Sequence, residues 1–183
     1  MYEDLLVRHG SPTLAGMKTG NLFSCSFASR DEMRRCLRSW NHAIVGKGLR
    51  SLPLGRQNGR VIVYVYRVSW LERDLRGEGT RRLLSELGYP CHDAQSCILR
   101  LIRRLREDAS FPHEIGLFLG YPPEDVSGFI ENGARGFKCA GCWKVYGDEE
   151  AAKALFLRFR RCTEAYCAQY AKGVTIERLT VAG

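Results

Sequence analysis

The stretch Arg60 to Val68 (RVIVYVYRV) is almost unbroken in β-branched and aromatic side chains, and an Asn58-Gly59 pair stands directly in front of it. Asn-Gly favours a two-residue turn in which both residues take positive φ, so the run reads as the second strand of a hairpin whose first strand is Leu49 to Leu54. Pro53 has no N–H to donate and places that first strand at a sheet edge. Asn21 to Phe27 (NLFSCSF) alternates as a further strand, so the fold must contain a sheet.

Helical patterns surround these strands. Ser29 and Glu32 form a capping box before a stripe of Met33, Cys36, Leu37, Trp40 and Ile44, and Ser69 with Glu72 offers a second box. A helix is expected over Thr80 to Leu87, stopped by Gly88 and Pro90. Asp93 can cap a helix whose stripe is Ala94, Cys97, Ile98, Leu101, Ile102 and Leu105. Short helices are expected at His113 to Gly120 and after Pro122-Pro123. Asp148, followed by Glu149 and Glu150, opens a long helix closed by Gly173. Phe137 to Tyr146 alternates as a strand, Val174 to Val181 reads as a terminal strand, and the Gly- and Pro-punctuated residues before 21 read as an ordered segment packing on the rest.

The expectation is an α+β fold, residues 1–183 as a single domain, with an antiparallel or mixed sheet covered by helices mostly on one face. The element order suggests a ferredoxin-like core with a helical insertion between its third and fourth strands. No linker, repeat or low-complexity tract marks a second domain.

Composition limits the classes of function. With 183 residues, 45% hydrophobic and 26% charged, the chain has the make-up of a globular domain able to bury about 70% of its unfolded surface without staples. No apolar run approaches the roughly 20 residues of a membrane-spanning helix, and the acidic start is no signal peptide. A cytoplasmic protein without membrane association is therefore expected. Eight cysteines in that compartment read as reduced thiols, and the net charge of +8 points to an anionic partner. The sequence specifies neither a cofactor nor an oligomeric state.

Four constellations carry chemistry. Leu5 to Thr13 (LLVRHGSPT) imitates the phosphohistidine signature of histidine phosphatases, in which a strand ends in Arg-His-Gly and the His attacks phosphorus. The chain lacks that superfamily's alternating strand and helix pattern, and the string is read instead as part of a ligand site: Arg8, Ser11, Thr13 and Lys18 as donors to an anion, His9 as a proton carrier. His113 and Glu114 open a short helix as candidate acid–base residues, expected to share a cleft with Arg8 to Thr13. The counter-reading has Arg8 pair with Glu114 to anchor the N-terminal segment. Binding, with or without turnover, of an anionic small molecule is the leading functional expectation.

Cys139 and Cys142 form a C-x-x-C that becomes a metal or redox pair only if Ala140-Gly141 breaks the strand into a turn, because positions three apart on a strand face opposite ways. Cys162 and Cys167 lie about 140° apart on a helix, poor co-ligands, and are expected to be buried thiols. Arg34, Arg35 and Arg38, the Arg100 to Arg106 cluster, and Arg158, Arg160 and Arg161 are the basis of an alternative reading. It is a nucleic-acid or protein adaptor, with Tyr64, Tyr66 or Trp143 stacking on bases.

Three blocks, RHGSPTLAGMKTGNLFSC, FPHEIGLFLGYPPEDVSGFIENG and FKCAGCWKVYGDEEAAKALF, carry a resemblance, extending over almost the whole chain, to the bacterial domain-of-unknown-function family DUF3793. The resemblance implies an origin in anaerobic Firmicutes, in keeping with reduced cysteines. It implies no activity, cofactor or catalytic residue.

Overall fold

The computed structural model describes residues 2–90, 92–107 and 110–183 and divides into two compact units. The first runs to Ser69 and resumes at Phe159; the second is Trp70–Arg158. The mixed α+β class is as the sequence indicates.

The first unit opens with α1 (Tyr2–Leu14), which gives the Gly- and Pro-punctuated start, read only as an ordered segment, a helical form. Burial decides the matter: Leu6, Val7 and Leu14 are fully buried in the core of this unit, which outweighs the poor propensity of Gly10 and Pro12. Gly10 also belongs there, since a Cβ would stand 3.3 Å from both Leu6 and Val65. β1 (Gly20–Cys25) leads to α2 (Arg30–Ile44), whose capping box forms as read. The Ser29 hydroxyl accepts from Glu32 N–H at 3.1 Å, and the Glu32 carboxylate accepts from Ala28 N–H at 2.6 Å.

β2 (Leu49–Gln57) and β3 (Arg60–Arg67) form the expected hairpin, with Asn58 and Gly59 at φ 49° and 77°. β1 and β2 both pair antiparallel with β3, giving the order β1-β3-β2 and leaving Pro53 on an edge strand. Phe23, Cys25, Leu49, Val61, Val63 and Val65 join Leu37, Trp40 and Ile44 of α2 in one core. This is the first split βαβ of a ferredoxin-like sheet, but among the described residues no fourth strand joins it.

The two segments expected as later strands behave otherwise. Val174 to Val181 contains a short helix, α9 (Ile176–Leu179), capped by Thr175 and burying Ile176 and Leu179, three positions apart, on the core. Phe137 to Tyr146 is broken into β4 (Cys139–Ala140) and β5 (Lys144–Val145), which pair antiparallel with each other.

The second unit is helical around that hairpin. α3 (Val68–Arg76) begins one residue before Ser69, so Ser69 lies inside the helix and does not cap it. α4 (Glu78–Glu86) and α5 (Ala94–Glu107) follow, the latter capped by Asp93, which accepts from Ser96 N–H at 2.8 Å. α6 (Ile115–Phe118) and α7 (Pro123–Glu131) complete this part. α8 (Glu149–Ala171) is the long helix opened by Asp148, which accepts from Ala151 N–H at 3.0 Å. Cys162 and Cys167 on α8 are thiols that are half-buried, less than the full burial expected.

Candidate functional site

A cleft equipped for a ligand lies within the second unit. α3 supplies Glu72, Leu75 and Arg76, α4 supplies Arg81 and Leu84, and the start of α5 supplies His92, Asp93, Ala94 and Cys97. Its volume, about 340 Å³, suits a small metabolite. Leu75, Leu84 and Cys97 are buried and make an apolar floor, and the Cys97 thiol is turned to the carbonyl of Pro90 at 3.1 Å. Over that floor stand two guanidinium groups, an imidazole and two carboxylates.

Of those carboxylates, Asp93 is already engaged. It also accepts from the Ser96 hydroxyl at 2.7 Å, and these Ser96 bonds hold its pKa below the usual carboxylate range. Arg76, Arg81 and His92 line the cleft together with Glu72 and the ionised Asp93. Guanidinium groups can receive a carboxylate or phosphate through charge-assisted hydrogen bonds.

The residues singled out from the sequence are distributed differently. Arg8 is exposed on α1 and pairs with Asp4 at 3.2 Å. His9 is mid-helix, not at a strand end where the phosphatase signature presents its nucleophile. Its ring stacks on Phe23 at 5.5 Å, and desolvation, helped by the Arg8 charge, lowers its pKa. Ser11 is buried and donates to the Val7 carbonyl, while buried Thr13 donates to Asn21 at 2.7 Å. Lys18 is buried too.

His113 is exposed beside Phe129, ring centroids 4.7 Å apart. Its neighbour Glu114 is 3% exposed and enclosed by an internal network, accepting from the Tyr89 hydroxyl at 2.7 Å and from Arg104 at 2.9 Å. Burial, with the Glu114 hydrogen bond, drives the Tyr89 pKa upward, so the phenol stays a donor. The aromatics considered for base stacking are also engaged within the fold. Tyr64 and Tyr66 are buried and stack on each other at 4.7 Å, and Trp143 lies against Tyr121 and Phe156.

Two buried polar residues that sequence reading passed over organise their surroundings. Arg67, 1% exposed, donates to the carbonyls of Thr13, Leu14 and Val181 at 2.8, 2.9 and 2.8 Å, closing the C-terminal end of α1 and tying down the last residues. Asp125 accepts from Trp143 Nε1, Tyr146 N–H and Gly147 N–H, each at 2.7 Å. A charge ending the apolar run of β3 was the available signal for Arg67; Asp125 looked like an ordinary first-turn acid. The cleft residues Arg76, Arg81 and His92 left no spacing motif.

Residues 6–180 match the model of DUF3793, described as a protein of unknown function. The chain belongs to that family. No curated protein and no solved structure matches it. Among the described residues no helix is long and apolar enough to cross a membrane.

Proposed function

We propose that the chain binds a small anionic molecule, a carboxylate or a phosphate, in the cleft between α3, α4 and the start of α5. The observation that carries this reading is the placement of Arg76, Arg81 and His92 over the apolar floor of Leu75, Leu84 and Cys97. The positive net charge of +8 would favour the encounter with an anion.

Rival locations for the same ligand class, each taken by itself, are the segments nominated by sequence, Arg8 to Lys18 and His113-Glu114. Exposure of Arg8, His9 and His113 supports them, whereas the internal hydrogen bonds of Ser11, Thr13 and Glu114 suit supporting roles. Thermal-shift titrations with inorganic phosphate and with di- and tricarboxylates, followed by calorimetry, separate these locations from the cleft. In the first reading Arg81→Gln or Arg76→Gln weakens binding about tenfold or more, the effect of losing a charged hydrogen bond, while His9→Ala and His113→Ala leave it unchanged. Loss of binding in His113→Ala with the arginine variants unaffected would move the site, and no binding by any probe would end the proposal.

A further inference from the structure

The cleft between α3, α4 and the start of α5 is lined by charges of both signs, and that narrows what it can hold. Glu72, Leu75 and Arg76 recur at three and four residues along α3, so one face of that helix presents a carboxylate, an apolar side chain and a guanidinium together. Arg81 and Leu84 stand in the same relation on α4, as do Ala94 and Cys97 on α5. Each helix thus gives one buried residue, Leu75, Leu84 or Cys97, to an apolar floor, while the charged side chains of the lining are exposed.

The two guanidinium groups of the lining are matched by two carboxylates, Glu72 and Asp93. An anion with no positive group is drawn by Arg76 and Arg81 but repelled by both acids, and like charges brought together discriminate strongly between ligands. Asp93 keeps its negative charge because the Ser96 hydrogen bonds favour the ionised form. Among the described residues Glu72 has neither a hydrogen bond nor an ion pair, although Arg76 lies one turn further along α3, where a Glu–Arg pair ordinarily closes. Its carboxylate therefore keeps its acceptor capacity for a group that enters the cleft.

We propose that the ligand of this cleft is an amino-dicarboxylate, an anion that carries an ammonium group and a short methylene stem as well as its carboxylates. The carboxylates go to Arg76 and Arg81, the ammonium goes to Glu72 with Asp93 adding to the negative potential, and the stem lies on Leu75, Leu84 and Cys97. An ammonium has only donors, so the acids of the lining and not its arginines are its partners. Such a ligand remains an anion overall, and the chain's net charge of +8 still favours its approach. The volume of about 340 Å³ lies at the small end of ligand sites, in keeping with a short stem. The assignment rests on the cleft being an anion site, as proposed above, and names the group that its acids receive.

The test is titration calorimetry on the full chain with two matched pairs, L-glutamate against glutarate and L-aspartate against succinate, whose members differ only in the ammonium group. In the unmodified chain at least one amino compound should bind about tenfold or more tighter than its partner, the scale of one charge-assisted hydrogen bond. Glu72→Gln, an exposed change on α3, should abolish that preference by weakening the amino compound, with the far-ultraviolet dichroism spectrum unchanged. Arg76→Gln should weaken both members of the pair. Equal affinity within both pairs, or a preference that survives in Glu72→Gln, would overturn the proposal and leave the anion cleft standing. If none of the four compounds binds, the proposal falls; inorganic phosphate that binds and is lost in Arg76→Gln would then keep the anion reading alone.

Discussion

Arg67 is a cation placed where an apolar strand would ordinarily end, and its three carbonyl partners explain why it tolerates burial. Nε and Nη2 point at different acceptors, a geometry only a planar guanidinium provides. Arg67→Met should therefore destabilise the chain by on the order of 3–5 kcal/mol, since charge-assisted bonds of about 1.5–3 kcal/mol each are lost and buried carbonyls are left without donors. Thermal unfolding should show a melting point lower by roughly 10 °C. Arg67→Lys should recover only part of it, because one ammonium cannot reach all three carbonyls. An unchanged melting point in Arg67→Met would mean that water replaces the guanidinium at no cost.

At the scale of elements, the hairpin of β4 and β5 depends on a helix rather than on its own ladder. Isolated two-stranded hairpins are marginal in water, and this one has two residues per strand. Asp125 at the start of α7 supplies what the ladder lacks, with one oxygen on Tyr146 and Gly147 and the other on Trp143. A double-mutant cycle of Asp125→Asn and Trp143→Phe, which keeps an aromatic ring against Tyr121 and Phe156, should show a coupling of about 1–2 kcal/mol in denaturant unfolding. Additive effects would show that the indole bond contributes nothing. The break between these strands was foreseeable only as a condition, because alternation in FKCAGCWKVY fits one strand as well as two. Phe156 and Asp125, 14 residues or more from Gly141 and Cys142 in sequence, settle it.

For the whole molecule, the chain passes between its two units twice, at Ser69/Trp70 and at Arg158/Phe159, each time inside a helix, α3 or α8. Independent domains are ordinarily joined by exposed, flexible linkers, so one cooperative transition is expected in scanning calorimetry. Two resolved endotherms would show units that unfold separately. What the sequence determined by itself was local: the Asn58-Gly59 hairpin, the Ser29, Asp93 and Asp148 caps, and the stripes of α2 and α5, all set by steric and hydrogen-bond preferences acting over a few residues. Tertiary structure decided the rest. α1 became helical because Leu6, Val7 and Leu14 had a sheet to bury against, the last segment became α9 because Ile176 and Leu179 met the same core, and Glu114 was enclosed by Arg104 and Tyr89. The candidate cleft belongs to that second group, since Arg76, Arg81 and His92 come from three separate segments and only packing brings them to one opening.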